Sequence, residues 1–336
     1  MLIKLISVIL RMIKLYYNLN LINVYKLILF FLMNIFYLEW LNKRPSICEF
    51  RNSIPSTYNF QCSVSIRNCK EVFQDIKIYG NIGDLEEYEF RNSPFTKRTF
   101  LVSHLQKCIR KMNHTKSVKT AKHLIDLDIN AFLRRLPIIM FEDVVPHKDL
   151  SIIIWLMIAV TKDFKIKTVM IQYLLGFIYF LSSCAKHDNY SFKESVDHNI
   201  IGDNVFLKCI LIRRSYGGMK CDMKMLNYFI ELWNERFKRN SKPREDKIKY
   251  INHNLTRLEI EDWYLQANDF HCNHTLIPNV KKQFNLYTEE YIKSLIWNYS
   301  SSYNQRITSH YDEEEFKDWL IIKNYVRYLQ KNMDFI

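Results

Sequence analysis

Residues 129–184 read INAFLRRLPIIMFEDVVPHKDLSIIIWLMIAVTKDFKIKTVMIQYLLGFIYFLSSC. Apolar side chains recur here at the three- and four-residue spacing of a helix face, and two runs are apolar almost throughout. The chain of 336 residues contains only 6 Gly and 7 Pro, and so few breakers favour long helices over a many-turned β architecture. The sequence therefore predicts a mainly α fold, with a multi-helix globular domain over residues 96–336.

The two apolar runs, Ile152–Val160 and Val169–Cys184, look like membrane spans at first sight. The first is shorter than the ~20 residues that a span needs. The second holds Gln172 in its middle and ends in small polar residues, which favours a buried core helix.

Helical patterning extends in both directions from this stretch. Asp149 or Lys148, just after Pro146, is positioned to begin one helix, and Asp203 is an N-cap candidate for another. The predicted helices cover residues 97–113, 117–127, 129–144, 148–163, 165–186, 202–214, 221–239, 258–267, 287–299 and 312–333.

Residues 45–95 differ in character, because they carry three prolines and most of the short polar interruptions. The fragments Cys62–Ile66 and Ile76–Tyr79 alternate between polar and apolar residues and indicate short strands. This region is predicted to hold mixed short elements or a linker before the helical domain.

Residues 1–44 form an apolar N-terminal arm. Its best membrane candidate, Leu27–Leu41, has an uncharged core that ends at Glu39 and is shorter than a span needs. No small-residue cleavage site follows, which argues against a secretory signal. Three interpretations stay open: a membrane anchor with contact through residues 21–41, an amphipathic segment packed on the body, or a leader outside the working protein with initiation at Met33.

The formal net charge is +13, which favours polyanionic partners such as nucleic acid or an anionic membrane surface. The competing explanation is lysine drift in an AT-rich genome, which the surplus of Ile, Lys, Asn, Tyr and Phe also fits. The eight cysteines include no CxxC pair. They are therefore predicted to be reduced thiols of an intracellular protein, cytoplasmic or nuclear.

Basic residues concentrate between Thr96 and Ile125, where the sequence has no acidic residue. Lysines at spacing three lie on one ridge of a helix and can follow phosphates, although a solvated helix face has the same pattern. The residues predicted to bind nucleic acid are Lys107, Arg110, Lys111, Lys116, Lys119 and Lys122. A second basic cluster between Arg236 and Lys249 spans Pro243, which indicates an exposed loop.

The segment Leu133–Val144 reads LRRLPIIMFEDV. Arg135 and Glu142 are seven residues apart on one helix face, although Pro137 is expected to kink or restart the helix between them. Two arginines and two acids around an apolar run predict a buried or half-buried ion network that holds helices in register. No catalytic residue is assigned, since no nucleophile or Gly-rich loop accompanies the acids.

Metal and cofactor motifs are absent from the sequence. At 269–274 the chain reads DFHCNH, but adjacent ligands on one short segment give poor tetrahedral geometry, so no metal is predicted and a hydrogen-bonded His271 beside Asp269 is favoured. The sequence has no GxxxxGK[ST], GxGxxG, GxSxG or HExxH motif, and no cofactor is predicted.

Three segments together carry a family resemblance: Leu105–Ile109, Lys119–Ile125 and RRLPIIMFEDV. They resemble the C-terminal helical region of the replication-associated recombination ATPases, which are relatives of clamp loaders. The stretch IRRSYGGMKCDMKML from Ile212 to Leu226 is similar to a GGM-containing stretch of that family, and QANDFHC (266–272) is a further match. The resemblance covers roughly residues 100–275, and the ATPase domain is missing.

The resemblance implies a helical oligomerisation and interaction module associated with DNA replication or repair, without motor activity. The residues that match the family as structural marks are Arg134, Arg135, Glu142, Asp143, Gly217, Gly218 and Met219. Together with the charge, the sequence predicts a non-enzymatic accessory protein that binds the phosphate backbone of DNA or RNA, with homo-oligomerisation as a further expectation. The alternative is a membrane-anchored or oligomeric helical scaffold with no nucleic-acid role.

Overall fold

The computed structural model describes residues 35–67, 73–93, 97–188, 204–254, 273–296, 299 and 313–332. The fold is mainly α, as predicted, with nine helices and one four-stranded sheet in these ranges. The strands are β1 Ile35–Trp40, β2 Ile47–Arg51, β3 Phe60–Arg67 and β4 Phe73–Ile82. The helices are α1 Arg98–Arg110, α2 His114–Asp143, α3 Leu150–Val160, α4 Thr168–Ser183, α5 Val205–Ser215, α6 Lys220–Lys238, α7 Asn273–Gln283, α8 Glu289–Ile296 and α9 Glu313–Asn332.

The chain divides into two compact units, and each takes several separate stretches of sequence. The first unit, here the sheet unit, contains the described residues of 35–85, 147–165 and 204–245. The second, here the helical unit, contains those of 86–146, 166–188 and 246–332. The predicted helical domain over residues 96–336 is thus shared between the two units.

The sheet has the order β2-β1-β4-β3, in which β1 is parallel to β4 and the other pairs are antiparallel. Strand β1 lies in the segment predicted to be an apolar arm, so the boundary expected at residue 44 falls inside the sheet. Its residues Phe36, Leu38 and Trp40 are fully buried, and Tyr37 on the opposite face is only 1% exposed. A strand buried on both faces reads as a continuous apolar run, which explains its likeness to a membrane segment.

Helix α3 packs on β1 and β2, and α5 packs on α3 and β3. The Trp155 side chain of α3 is fully buried, and its Nε1 donates to the Tyr79 carbonyl at 3.1 Å. The indole ring lies edge-on to Phe60 and Phe164, with centroid distances of 5.6 and 5.3 Å. Trp155 therefore joins α3 to β3 and β4.

The helical unit is built on α1, α2 and α4, which pack against one another. The two apolar runs are core helices as predicted, since α3 and α4 bury most of their residues. Among the described residues, no helix is both long and apolar enough to cross a membrane.

The break inside α2 falls at Asp128, between the predicted helices 117–127 and 129–144, because Asp128 has extended backbone angles and its Oδ1 caps the restarted helix by accepting from Ala131 N at 2.9 Å. The kink or restart expected at Pro137 is wrong, since the helix continues through this proline. Helix α5 is capped by Asn204, whose side chain accepts from the Phe206 and Leu207 amides. The predicted cap Asp203 and the predicted helix 258–267 lie outside the described residues.

Helices α7, α8 and α9 share a small apolar core of their own, formed by Leu276, Val280, Leu295, Trp319 and Ile322 with their neighbours. Helix α7 was not predicted from the sequence. Its segment NHTLIPNVKKQ contains a proline and three polar residues in its first half, which hide the helical period.

Candidate nucleic-acid interface

The six predicted phosphate-binding residues lie on α1, on α2 and between them, but they do not form one exposed ridge. Lys107 and Lys122 are only 5% and 6% exposed. The Lys107 Nζ donates to Ser103 Oγ at 3.2 Å, and the Lys122 ammonium pairs with the Asp126 carboxylate. Lys122 also lies 5.5 Å from the Tyr88 ring centroid, so its charge is balanced inside the fold.

The other members of the predicted ridge are partly exposed. Lys116 and Lys119 lie half-buried on the first turns of α2, while Val118 and Ala121 face the core. Burial lowers the pKa of Lys111 below its usual value. Lys116 and Lys119 are thus the members best placed to reach a ligand, and nucleic-acid binding by the ridge stays a prediction.

The sixth member, Arg110, belongs to an ion network instead. Its Nε lies 2.5 Å from Asp143 Oδ1, and its Nη2 lies 2.9 Å from Glu142 Oε1. Arg135 Nη2 approaches Glu142 Oε2 at 3.8 Å, and Gln106 donates to both carboxylates. Arg135, Glu142 and Asp143 of the predicted network are thus brought together, whereas Arg134 is exposed, and α1 adds Gln106 and Arg110, one helical turn apart.

The network perturbs the ionisation of Glu142. Burial, followed by the neighbouring Asp143 charge, raises the pKa of Glu142 despite the two arginines. An acid with a raised pKa in the folded state loses native stability as the pH rises from its ordinary pKa through the raised value, because the unfolded chain releases its proton first. Folding therefore shifts the ionisation equilibrium of Glu142 toward its neutral form.

The raised pKa of Glu142 predicts different stabilities for two conservative substitutions. We expect Glu142→Gln to leave the free energy of unfolding unchanged or slightly higher at pH 7. We expect Asp143→Asn to cost about 2 kcal/mol, because its side chain is only 3% exposed and pairs with Arg110 Nε. Urea unfolding of both variants measures the difference.

Repeating the urea titration at pH 4.5 and below supplies the control. Any gain from Glu142→Gln should shrink as the pH falls below the ordinary glutamate pKa of about 4.3, since the wild-type carboxyl then becomes protonated in both states. Equal losses for the two variants at pH 7 would contradict this account of Glu142.

The remaining structural marks lie at three places. Arg134 is exposed on α2, whereas Gly217, Gly218 and Met219 form the turn between α5 and α6. Gly217 has φ +71° and Gly218 φ +150°, and Arg213 Nη1 donates to the Gly217 carbonyl at 2.9 Å. The glycines are therefore required by a tight helical hairpin turn.

The predicted His271 and Asp269 lie outside the described residues. Within the ranges that the structure describes, no group of three His, Cys, Asp or Glu side chains is arranged to hold a metal ion.

Four cations of the sheet unit lie at or just after the end of α6. Helix α6 stops at Lys238, and Asn240 then takes a left-handed conformation with φ +56°. The amide of Lys148 donates to the Arg244 carbonyl at 2.9 Å, which joins the start of α3 to the chain that follows α6. We call this surface the basic turn, and its residues are Lys148, Lys238, Arg239, Lys242 and Arg244.

The cations of the basic turn differ in their ion pairing. Lys238 Nζ pairs with Glu235 Oε1 at 2.5 Å, and both side chains are more than half exposed. Lys148, Arg239 and Lys242 are exposed, and no carboxylate of the described residues lies within ion-pair distance of any of them. Cations at the end of a helix also suit its dipole, so part of this arrangement stabilises α6 itself.

The neighbouring aromatic residues belong to the core. Trp233 is 4% exposed and packs against Phe206 and Phe237, with the Arg236 guanidinium 4.9 Å from its ring centroid. Trp233 cannot stack on a nucleic-acid base from this position, so the basic turn offers charge without a stacking platform.

Comparison with known proteins gives no relative for this chain: no family model, curated protein or solved structure matches it.

Proposed function

We propose that this protein binds nucleic acid without catalysing a reaction, through contacts of the basic turn with backbone phosphates. The observation that carries the proposal is the group of three exposed cations, Lys148, Arg239 and Lys242, with no carboxylate partner among the described residues. Phosphate contacts of this kind release counterions and require no base recognition. The net charge of +13 adds long-range attraction for any polyanion.

Lys116 and Lys119 of the helical unit stay a separate candidate for phosphate contact, independent of the basic turn. An accessory role in replication or repair is its narrower form, and that form depends only on the family resemblance of residues 100–275. The binding experiment below tests nucleic-acid binding by the basic turn, and it requires no assumption about replication or repair.

The full chain is titrated with labelled single- and double-stranded oligonucleotides between about 50 and 200 mM salt, the range over which phosphate contacts weaken steeply. We expect Lys148→Gln/Arg239→Gln/Lys242→Gln to reduce affinity at least about tenfold at the low-salt end. The slope of log K against log salt should fall by about 3 for duplex, since each phosphate contact contributes about 0.9.

A matched control removes the same charge elsewhere in the sheet unit. Lys43, Lys77 and Lys162 are also exposed, and their joint replacement by Gln should leave the salt slope nearly unchanged. Equal loss in the two triple variants would show diffuse attraction and contradict the basic turn as the site. Absence of binding by the wild-type protein at about 50 mM salt would contradict the function itself.

A further inference from the structure

Helix α9 has one face buried in the core and one face directed outward. One face carries Trp319, Ile322 and Val326, which are 4%, 0% and 0% exposed and pack in the core shared with α7 and α8. The carboxylate of Asp318 accepts the Tyr287 and Tyr291 hydroxyls at 2.9 and 2.7 Å. These contacts fix the rotation of α9, so its outer face is held in one orientation.

The outer face contains a seam with the spacing of a helix–helix contact. Its residues recur at intervals of three and four along the helix, as do the a and d positions of a coiled coil. The seam consists of Glu313, Phe316, Leu320, Lys323 and Arg327. Phe316 and Leu320 at its centre are 43% and 46% exposed, and the Phe316 ring also contacts Tyr299 at the edge of the α7–α9 core, with a centroid distance of 5.7 Å.

The two ends of the seam carry opposite charges. Glu313 lies at its N-terminal end, whereas Lys323 and Arg327 lie at its C-terminal end. Neither Glu313 nor Arg327 has an ion-pair partner among the described residues. A parallel copy of the same helix would place like charges together, whereas an antiparallel copy places acid against base at both ends.

We propose that the α9 seam pairs antiparallel with the α9 seam of a second copy of this chain. A two-fold axis at Leu320 brings the two Leu320 side chains together and sets Glu313 against Arg327 of the partner subunit at each end. In the same register Phe316 meets the aliphatic stem of the partner's Lys323. This interface is independent of the basic turn and lies beyond the segments that carry the family resemblance.

The register makes a specific prediction about charge reversal. In analytical ultracentrifugation of the full chain, we expect a concentration-dependent dimer for the wild type. Glu313→Arg and Arg327→Glu should each weaken the dimer by about tenfold, because each places like charges together at both ends of the seam. Mixing the two variants should restore dimer formation, since the mixed pair has opposite charges at both ends.

Two exposed neighbours on α9 provide a matched control. Leu320→Asp should abolish the dimer, whereas Ile321→Asp should leave it intact, although Ile321 is more exposed at 57%. Ile321 lies 100° further around the helix, outside the seam. Because both side chains are exposed, neither change is expected to unfold the protein, and circular dichroism checks this.

Several outcomes would overturn the proposal. A wild-type chain that stays monomeric would leave the seam to a different partner, and equal effects of Leu320→Asp and Ile321→Asp would place the contact elsewhere. A dimer that survives both charge reversals, or variants that fail to pair when mixed, would exclude the antiparallel register.

Discussion

Replacing Trp155 by alanine is expected to destabilise the sheet unit by about 3–5 kcal/mol, the cost of removing a large buried aromatic side chain. Trp155 is fully buried, and its ring fills the space above Gly80, where an added Cβ would lie 2.8 Å from Trp155 Cζ2. Its removal would leave Phe60 and Phe164 facing a cavity that the strands cannot close. A loss of this size is a large part of the stability of an ordinary domain.

Urea unfolding monitored by circular dichroism measures this effect, and Trp155→Phe is its control. Phenylalanine keeps most of the ring contacts but loses the hydrogen bond from Nε1 to the Tyr79 carbonyl, so we expect a smaller loss of about 1–2 kcal/mol. A Trp155→Ala variant as stable as Trp155→Phe would show that the indole is not the contact between helix and sheet.

The second large effect is expected at Gly176 in the middle of α4. Glycine to alanine usually stabilises a helix by about 1 kcal/mol. Here the added Cβ would lie 1.8 Å from the Lys249 carbonyl oxygen and 2.8 Å from its carbonyl carbon. Because backbone atoms cannot move aside as a flexible side chain can, we expect a net loss of about 3 kcal/mol.

The loss should be local to the segment that crosses α4. The Ile251 amide donates to the Gln172 carbonyl at 3.1 Å, and Ile248 is 5% exposed beside Gly176. Gly176→Ala should therefore speed hydrogen exchange at Ile251 in addition to lowering the melting temperature. Gly217→Ala is the comparison: its Cβ would meet open space, and the positive φ alone should cost about 1 kcal/mol. A Gly176→Ala variant more stable than wild type would contradict the close approach of Lys249.

The helices were predictable because the spacing of apolar residues that produces them lies within each segment. The period of apolar residues placed α3, α4 and α6 within a few residues of their observed ends, and the alternation in 60–82 indicated β3 and β4. Strand β1 was not predictable in this way, since burial on both faces removes the alternation. Its identity depends on pairing with β2 and β4, which no local pattern encodes.

In the candidate site, too, local contacts could be predicted from the sequence and tertiary contacts could not. The pairing of Lys122 with Asp126 is readable from a spacing of four residues, and it argues against an exposed role for that lysine. The position of Lys148 beside Arg244 depends on tertiary contact between segments almost a hundred residues apart, so the basic turn could not be assembled from the sequence. The partners of Arg110 in the ion network are non-local for the same reason.

The interleaving of the two units has a consequence for how the chain is made. The sheet unit takes its strands from the first 85 residues but its covering helices from 147–165 and 204–245, and the helical unit fills the intervals. During synthesis the strands therefore leave the ribosome long before α3, α5 and α6 can cover them. The high sequence separation of these contacts predicts slow folding that finishes only when most of the chain has been released. For the same reason neither unit is a continuous fragment, and a truncation at any single point between residues 86 and 245 would leave both units incomplete.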